Sequence, residues 1–180
     1  MSSRDGREPG WSLSRVSWRE WLGLAAGLLA VVALALPWTR LSASDPEVSA
    51  ALAELPRSDV HRSVWRATFL GWLAPLLVAV AGVSVVLFGQ RPALRRDGLP
   101  HLWLVAAGVA ACATALAWVF LDWQFGEEQR TFLTESGVAI EAALGRYLGA
   151  AAVLVSLVAA TLDVRAAVSR GPNRRRAGAR

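Results

Sequence analysis

The chain has 180 residues, of which 54% are hydrophobic and only 18% charged, with a net charge of +5. A soluble domain carries about 25% charged residues, and here the charges cluster between long stretches that have none, which excludes an ordinary water-soluble core. No segment outside those stretches exceeds about thirty residues, too few to build a second core, so the reading is one domain whose solvent is the bilayer.

All nineteen basic residues are Arg, while Asn and Ile occur once each, at Asn173 and Ile140. This is the composition of a high-GC bacterial genome. The Arg excess follows membrane orientation rather than nucleic-acid binding, and no nucleic-acid partner is expected.

Residues 1–20 form a cytoplasmic amino tail with Arg4, Arg7, Arg15 and Arg19. The first apolar run, Trp21–Trp38, has eighteen residues without a charge. At ~1.5 Å per residue it spans ~27 Å, close to the hydrocarbon thickness. It is longer than a signal-peptide core, and Pro37, Trp38 and Arg40 separate it from the small residues Ser42–Ser44, so it reads as a retained span. In the following loop, 39–66, Ser44-Asp-Pro-Glu47 reads as a capping box with Pro in the first turn. Val48, Leu52 and Leu55 then share one face, which predicts a short amphipathic helix from about Asp45 to Leu55, ended by Pro56.

The second span is 67–88, with Pro75 in its outer third as a tolerated kink. An inner loop, 89–101, carries Arg91, Arg95 and Arg96. The third span, 102–121, has only Cys112 and Thr114 as weakly polar members, and Cys112 reads as a small packing residue. Loop 122–146 carries Asp122, Glu127, Glu128, Glu135 and Glu141. The helical period of its last part predicts that the fourth helix starts outside the bilayer near Val138. The fourth uncharged core is 147–162, extended toward Ala142 if Arg146 snorkels to the interface. Residues 165–180 read as a disordered basic tail drawn to anionic lipid headgroups. The expected fold is all-α, a four-transmembrane-helix bundle over residues 21–164 with short amphipathic helices in the outer loops.

Thirteen of the nineteen Arg residues fall in the two tails and loop 89–101, whereas nine of the fourteen acidic residues fall in the other two loops. The positive-inside rule places both termini in the cytoplasm of a bacterial plasma membrane. Nine Trp residues bracket the spans. Trp11, Trp18, Trp21 and Trp103 lie toward the inner side, and Trp38, Trp65, Trp72, Trp118 and Trp123 toward the outer, as in an interfacial aromatic belt.

Gly23-x-x-x-Gly27 and Gly145-x-x-x-Gly149 supply small-residue pairs for helix packing within the bundle, with another membrane protein, or in self-association. The span centres hold no ionisable residue, which argues against coupled transport. Asp122 and Asp163 read as solvated charges at helix ends. His61 and His101 fall on opposite sides of the membrane. Ser58-Asp59-Val60-His61-Arg62 is the most enzyme-like cluster, and Glu127–Glu128 could help bind a cation at the outer surface, yet each reads as solvated loop charge. No HExxH, nucleophile-elbow or P-loop pattern occurs. No catalytic, cofactor or metal residue is assigned.

With Leu36-Pro37-Trp38 leaving the first helix, Phe69-Leu-Gly-Trp-Leu-Ala-Pro75 opening the second and Gly89-Gln-Arg-Pro92 in the basic loop, the chain resembles uncharacterised four-helix (tetraspan) integral membrane proteins of high-GC Gram-positive bacteria. In the Trp that ends the first helix it is similar to the tryptophan-operon-associated membrane proteins, from whose usual pattern the Pro37–Trp38 exit departs. It is similar to claudin-like tetraspans in topology alone. The resemblance implies a membrane bundle and supplies no site. The leading functional reading is a non-enzymatic accessory or structural membrane protein acting through helix packing and its extracytoplasmic loops. The alternatives are a small transporter or channel component, and a membrane enzyme with an outward-facing site.

Overall fold

The computed structural model describes residues 12–66, 69–96 and 98–177. Four helices are long and apolar enough to cross a bilayer, and the chain is accordingly a multi-pass membrane protein. They are α1 (Trp18–Ala35), α4 (Phe69–Phe88), α6 (Leu99–Val119) and α8 (Leu144–Ala177), with α2 (Pro46–Glu54), α3 (Arg57–Val60), α5 (Pro92–Arg96) and α7 (Glu127–Glu135) between them. Helix α1 packs on α4 and α8, and α6 packs on the other sides of α4 and α8, so the four close into a ring.

The ring is narrow because its inner face is built from small residues. Ala26, Ala30, Ala74, Val78, Ala110, Ala113, Ala152 and Val153 form one buried cluster. Lipid offers no hydrophobic drive to bring helices together, so close van der Waals packing between small side chains has to do it. The expected Gly23 and Gly27 pair lies at the α1–α4 contact. A Cβ on Gly82 of α4 would collide with the Gly23 carbonyl and come within 3.5 Å of Gly27 Cα, and one on Gly27 would lie 3.4 Å from the Ala79 backbone. These backbones meet because Gly27 and Gly82 lack side chains, while the bare Gly23 makes room for Trp103.

An all-α fold is only approximate. The two loops at one end of the bundle join in a three-stranded antiparallel sheet of order β2-β1-β3, from β1 (Pro37–Ala43), β2 (His61–Ser63) and β3 (Val138–Ala142). Arg40 of β1 lies opposite His61 on one side and Glu141 on the other. The expected helical start near Val138 is therefore wrong, since Val138–Ala142 is a strand. A half-buried segment with β-branched Val138 and Ile140 satisfies its backbone against β1, and Gly137, at φ +68°, makes the turn into it.

The amphipathic helix of the first loop is present as α2, but its cap is Asp45 rather than Ser44. The Asp45 carboxylate accepts from the Glu47 and Val48 N–H groups at 2.8 and 3.3 Å, with Pro46 at the first helical position. At the bundle's other end the helical backbone of α8 runs to Ala177, through most of the segment expected as a disordered tail from 165. The stretch Asp163–Arg170 contains no Gly or Pro, so the helix continues past 165, and its backbone stays helical through Gly171 and Pro172.

Two tryptophans assigned to the aromatic belt are core residues instead. Trp38 is the bulge residue of β1, where the register with β2 slips between Pro37 and Thr39, and its ring turns into the bundle. Its Nε1–H donates to the Ala33 carbonyl at 2.7 Å, which also accepts from the Leu36 N–H at 3.3 Å at the end of α1. Gly145 and Gly149 accommodate the indole, since a Cβ at either would lie within 3.0 Å of it. Trp103 is buried beside Gly23 and donates from Nε1 to Ser156 Oγ at 3.2 Å. Trp18, Trp21, Trp65 and Trp118 remain exposed, as a belt requires. Trp11 lies outside the described residues. Cys112, expected in the packing, faces outward from α6.

Candidate functional site at the sheet end of the bundle

The sheet and α7 enclose a crevice of about 330 Å³ lined by Leu41, Arg62, Phe125, Glu128, Gln129, Phe132 and Leu133. Its floor is set by the sheet register. Thr39 of β1 pairs with Arg62 of β2, and Thr39 Oγ1 accepts from Gln124 Nε2 at 2.9 Å. That bond holds the 121–125 segment so that Phe125 is buried beneath Arg62, whose guanidinium carbon sits 4.2 Å from the ring centroid. Stacking on an aromatic face suits the planar, weakly hydrated guanidinium.

Burial and the neighbouring Arg66 push Arg62 below its ordinary pKa, and Asp59 partly offsets them. Arg62 remains a cation at neutral pH, because an arginine is not deprotonated in proteins. Its Nε is buried without a hydrogen-bond partner. Among the described residues no carboxylate forms an ion pair with it, and Asp59 instead pairs with Arg66 at 3.6 Å.

The loop residues singled out from the sequence are only partly brought together. His61 is exposed on β2, and Asp59 is exposed beside it. Glu127 and Glu135 share the outer face of α7, while Glu128 turns to the crevice. Glu141 is on β3, where Arg40 Nη2 donates to it at 2.6 Å, and that contact holds its carboxyl below the ordinary value. His101 is exposed on α6, in the turn nearest α5. Among the described residues no three His, Cys, Asp or Glu side chains gather as a metal site would require.

Three charged residues that the sequence reading passed over or misplaced are buried. Arg146 does not snorkel outward. It is 3% exposed and donates from Nη1 to the Ala117 carbonyl at 3.0 Å, closing the end of α6 between the rings of Trp38 and Trp118. Glu20 is 2% exposed and completes a capping box with Ser17, whose N–H donates to Glu20 Oε2 at 2.7 Å. Asp163, expected to be solvated, is 5% exposed. Arg95 of α5 joins the two carboxylates, with Nη2 at 3.0 Å from Glu20 Oε1 and 3.2 Å from Asp163 Oδ1. The spacing Ser17-Trp-Arg-Glu20 was the one available signal for this cluster, since a capping box fixes where the Glu side chain must turn. The side chain of Asp122 lies outside the described residues.

Comparison of the chain with family models, with curated proteins and with solved structures gives no match.

Proposed function

We propose that this protein is a non-enzymatic accessory component of a bacterial plasma membrane, with both termini cytoplasmic, that works through the cap formed by its two outer loops. The observation that carries this reading is the sheet itself. Segments from both connecting loops are locked into one platform through β1, with a crevice on it, whereas loops that only join helices need no such pairing. The buried cluster in the middle of the bundle is made of Ala and Val, with no ionisable group to pair a translocated charge. This supports a scaffold over a transporter. The cap's titratable groups lie along separate faces, which supports binding over acid–base chemistry. The Arg-rich carboxyl end adds attraction to anionic headgroups, at ~1 kcal/mol per residue near the surface.

In-cell photo-crosslinking tests the reading. Probes placed at Ser49 and Thr131 on the cap should give discrete protein adducts, and a probe at Val109 on the lipid-facing side of α6 should give none. Discrete adducts from Val109 with none from either cap position would assign the working surface to the helices instead.

A further inference from the structure

We propose that the crevice between β1, β2 and α7 is a headgroup site for a zwitterionic phospholipid, with the phosphate on Arg62 and the ammonium group facing Glu128. The inference rests on reading the cap as the outward-facing end of the bundle. Three observations carry it.

Among the described residues Arg62 is a cation without an ion-pair partner, already held in place. Its guanidinium is stacked on Phe125, its Nε lacks a partner, and Asp59, which attracts it, is ion-paired with Arg66. A planar fork fixed in this way is suited to a phosphate, which accepts two parallel N–H donors.

Glu128 lines the same crevice, and among the described residues no ion pair joins it to Arg62. Two opposite charges kept apart across one small crevice match a ligand that carries both. A headgroup with phosphate alone would meet the Glu128 carboxylate as a like charge, whereas an ammonium linked to that phosphate would be drawn to it.

The remaining wall is apolar and open. Phe132 is 68% exposed, and Leu41 and Leu133 flank it. Three residues after Arg62 comes Trp65, exposed, with its ring centroid 6.4 Å from that of Trp72 near the start of α4. Exposed aromatic rings at the end of a spanning helix mark the headgroup level. A phospholipid in that leaflet would present its phosphate to Arg62 and the start of its acyl chains to Phe132.

The test uses the full-length protein in detergent, equilibrated with equimolar phosphatidylethanolamine and phosphatidylglycerol and read by native mass spectrometry. Wild type should retain phosphatidylethanolamine in preference. Arg62→Gln should lower that retention about tenfold, the loss expected for one charge-assisted contact. Glu128→Gln should abolish the preference while leaving phosphatidylglycerol retention equal or higher. Arg57→Gln, which changes an exposed cation of α3 outside the crevice, should behave as wild type, and thermal melting identifies any variant that misfolds. Should a folded Arg62→Gln retain as much lipid as wild type, or Glu128→Gln keep the preference, the assignment falls. Displacement of the lipid by an equal concentration of free O-phosphoethanolamine would overturn the lipid as occupant in favour of a soluble one. Any of these failures leaves the cap crosslinks unaffected, so the proposed function would stand or fall separately.

Discussion

Arg95 Nη2 lies 3.0 Å from Glu20 Oε1, although Glu20 is 2% exposed in the first turn of α1 and Arg95 belongs to a five-residue helix in the loop between α4 and α6. The same nitrogen reaches Asp163 of α8, so one guanidinium ties the connecting loop to two spanning helices. Gly89, just past α4, leaves room for the Glu20 carboxylate, which a Cβ there would meet at 2.6 Å.

Removing the shared cation should therefore be severe. Arg95→Ala leaves two buried carboxylates without a counter-charge, at about 3–5 kcal/mol for a broken buried pair. Combining it with Glu20→Gln and Asp163→Asn should recover most of that loss. The check is thermal unfolding of the purified single and triple variants. Equal melting of Arg95→Ala and wild type would show that the cluster contributes nothing.

Gly82 and Gly108 form a matched pair of helical glycines. A Cβ on Gly82 collides with the α1 backbone, whereas one on Gly108 meets nothing within 4 Å. Gly82→Ala should destabilise the bundle by about 1–3 kcal/mol through overpacking. Gly108→Ala should be neutral or stabilising by up to about 1 kcal/mol from helix propensity. Identical behaviour of the two variants in a denaturation series would place Gly82 away from the α1–α4 contact.

Gly149 faces an aromatic ring rather than another helix backbone. Gly149→Leu should destabilise, because Cβ alone would already lie 3.0 Å from the Trp38 ring. Trp38→Ala in the same chain should restore part of the lost stability by emptying that space, while forfeiting the bond to Ala33. Additive losses in the double variant, measured as a double-mutant cycle, would mean that the two side chains do not share the space.

The Arg40–Glu141 pair gives the sheet a pH dependence of known sign. Arg40 holds the Glu141 carboxyl below its ordinary value of 4.5, with Ser42 assisting. A group depressed in the folded state contributes stability above its unfolded pKa and loses it as pH falls through the folded value. Protection of the β1 and β3 amides from hydrogen exchange should thus be constant above about pH 5 and decline below 4.5. In Glu141→Gln the decline should be smaller. Since both side chains are largely exposed, added salt should weaken the effect.

Orientation is tested by single-cysteine labelling on a Cys112→Ala background. Cysteines at Ser44 and Thr131, beside the sheet and on α7, should react with a membrane-impermeant thiol reagent in intact cells. One at Ser169, toward the far end of α8, should stay protected. Labelling of Ser169 with protection of Ser44 would invert the membrane orientation.

The four spanning helices were legible from sequence because lipid leaves so few alternatives. An uncharged run of about twenty residues in hydrocarbon must satisfy its own backbone, and the helix does so locally. The pairs Gly23/Gly27 and Gly145/Gly149 were also visible, but not their different neighbours. α2 was legible too, because a capping residue, a proline and a periodic face are all local signals.

Only the tertiary structure decided the cap. Strand β1 pairs Thr39 with Ala142 and Arg40 with Glu141, partners about a hundred residues away. Strands of three to seven residues with mixed polarity carry little periodicity of their own, which is why the period of Val138–Ala142 suggested a helix. The same reason explains Arg146, Asp163 and Glu20. A charged residue near a helix end has the same local sequence whether it meets water or a partner. Its burial is decided by what the fold sets opposite it: the Ala117 carbonyl for Arg146, and Arg95 for the two carboxylates.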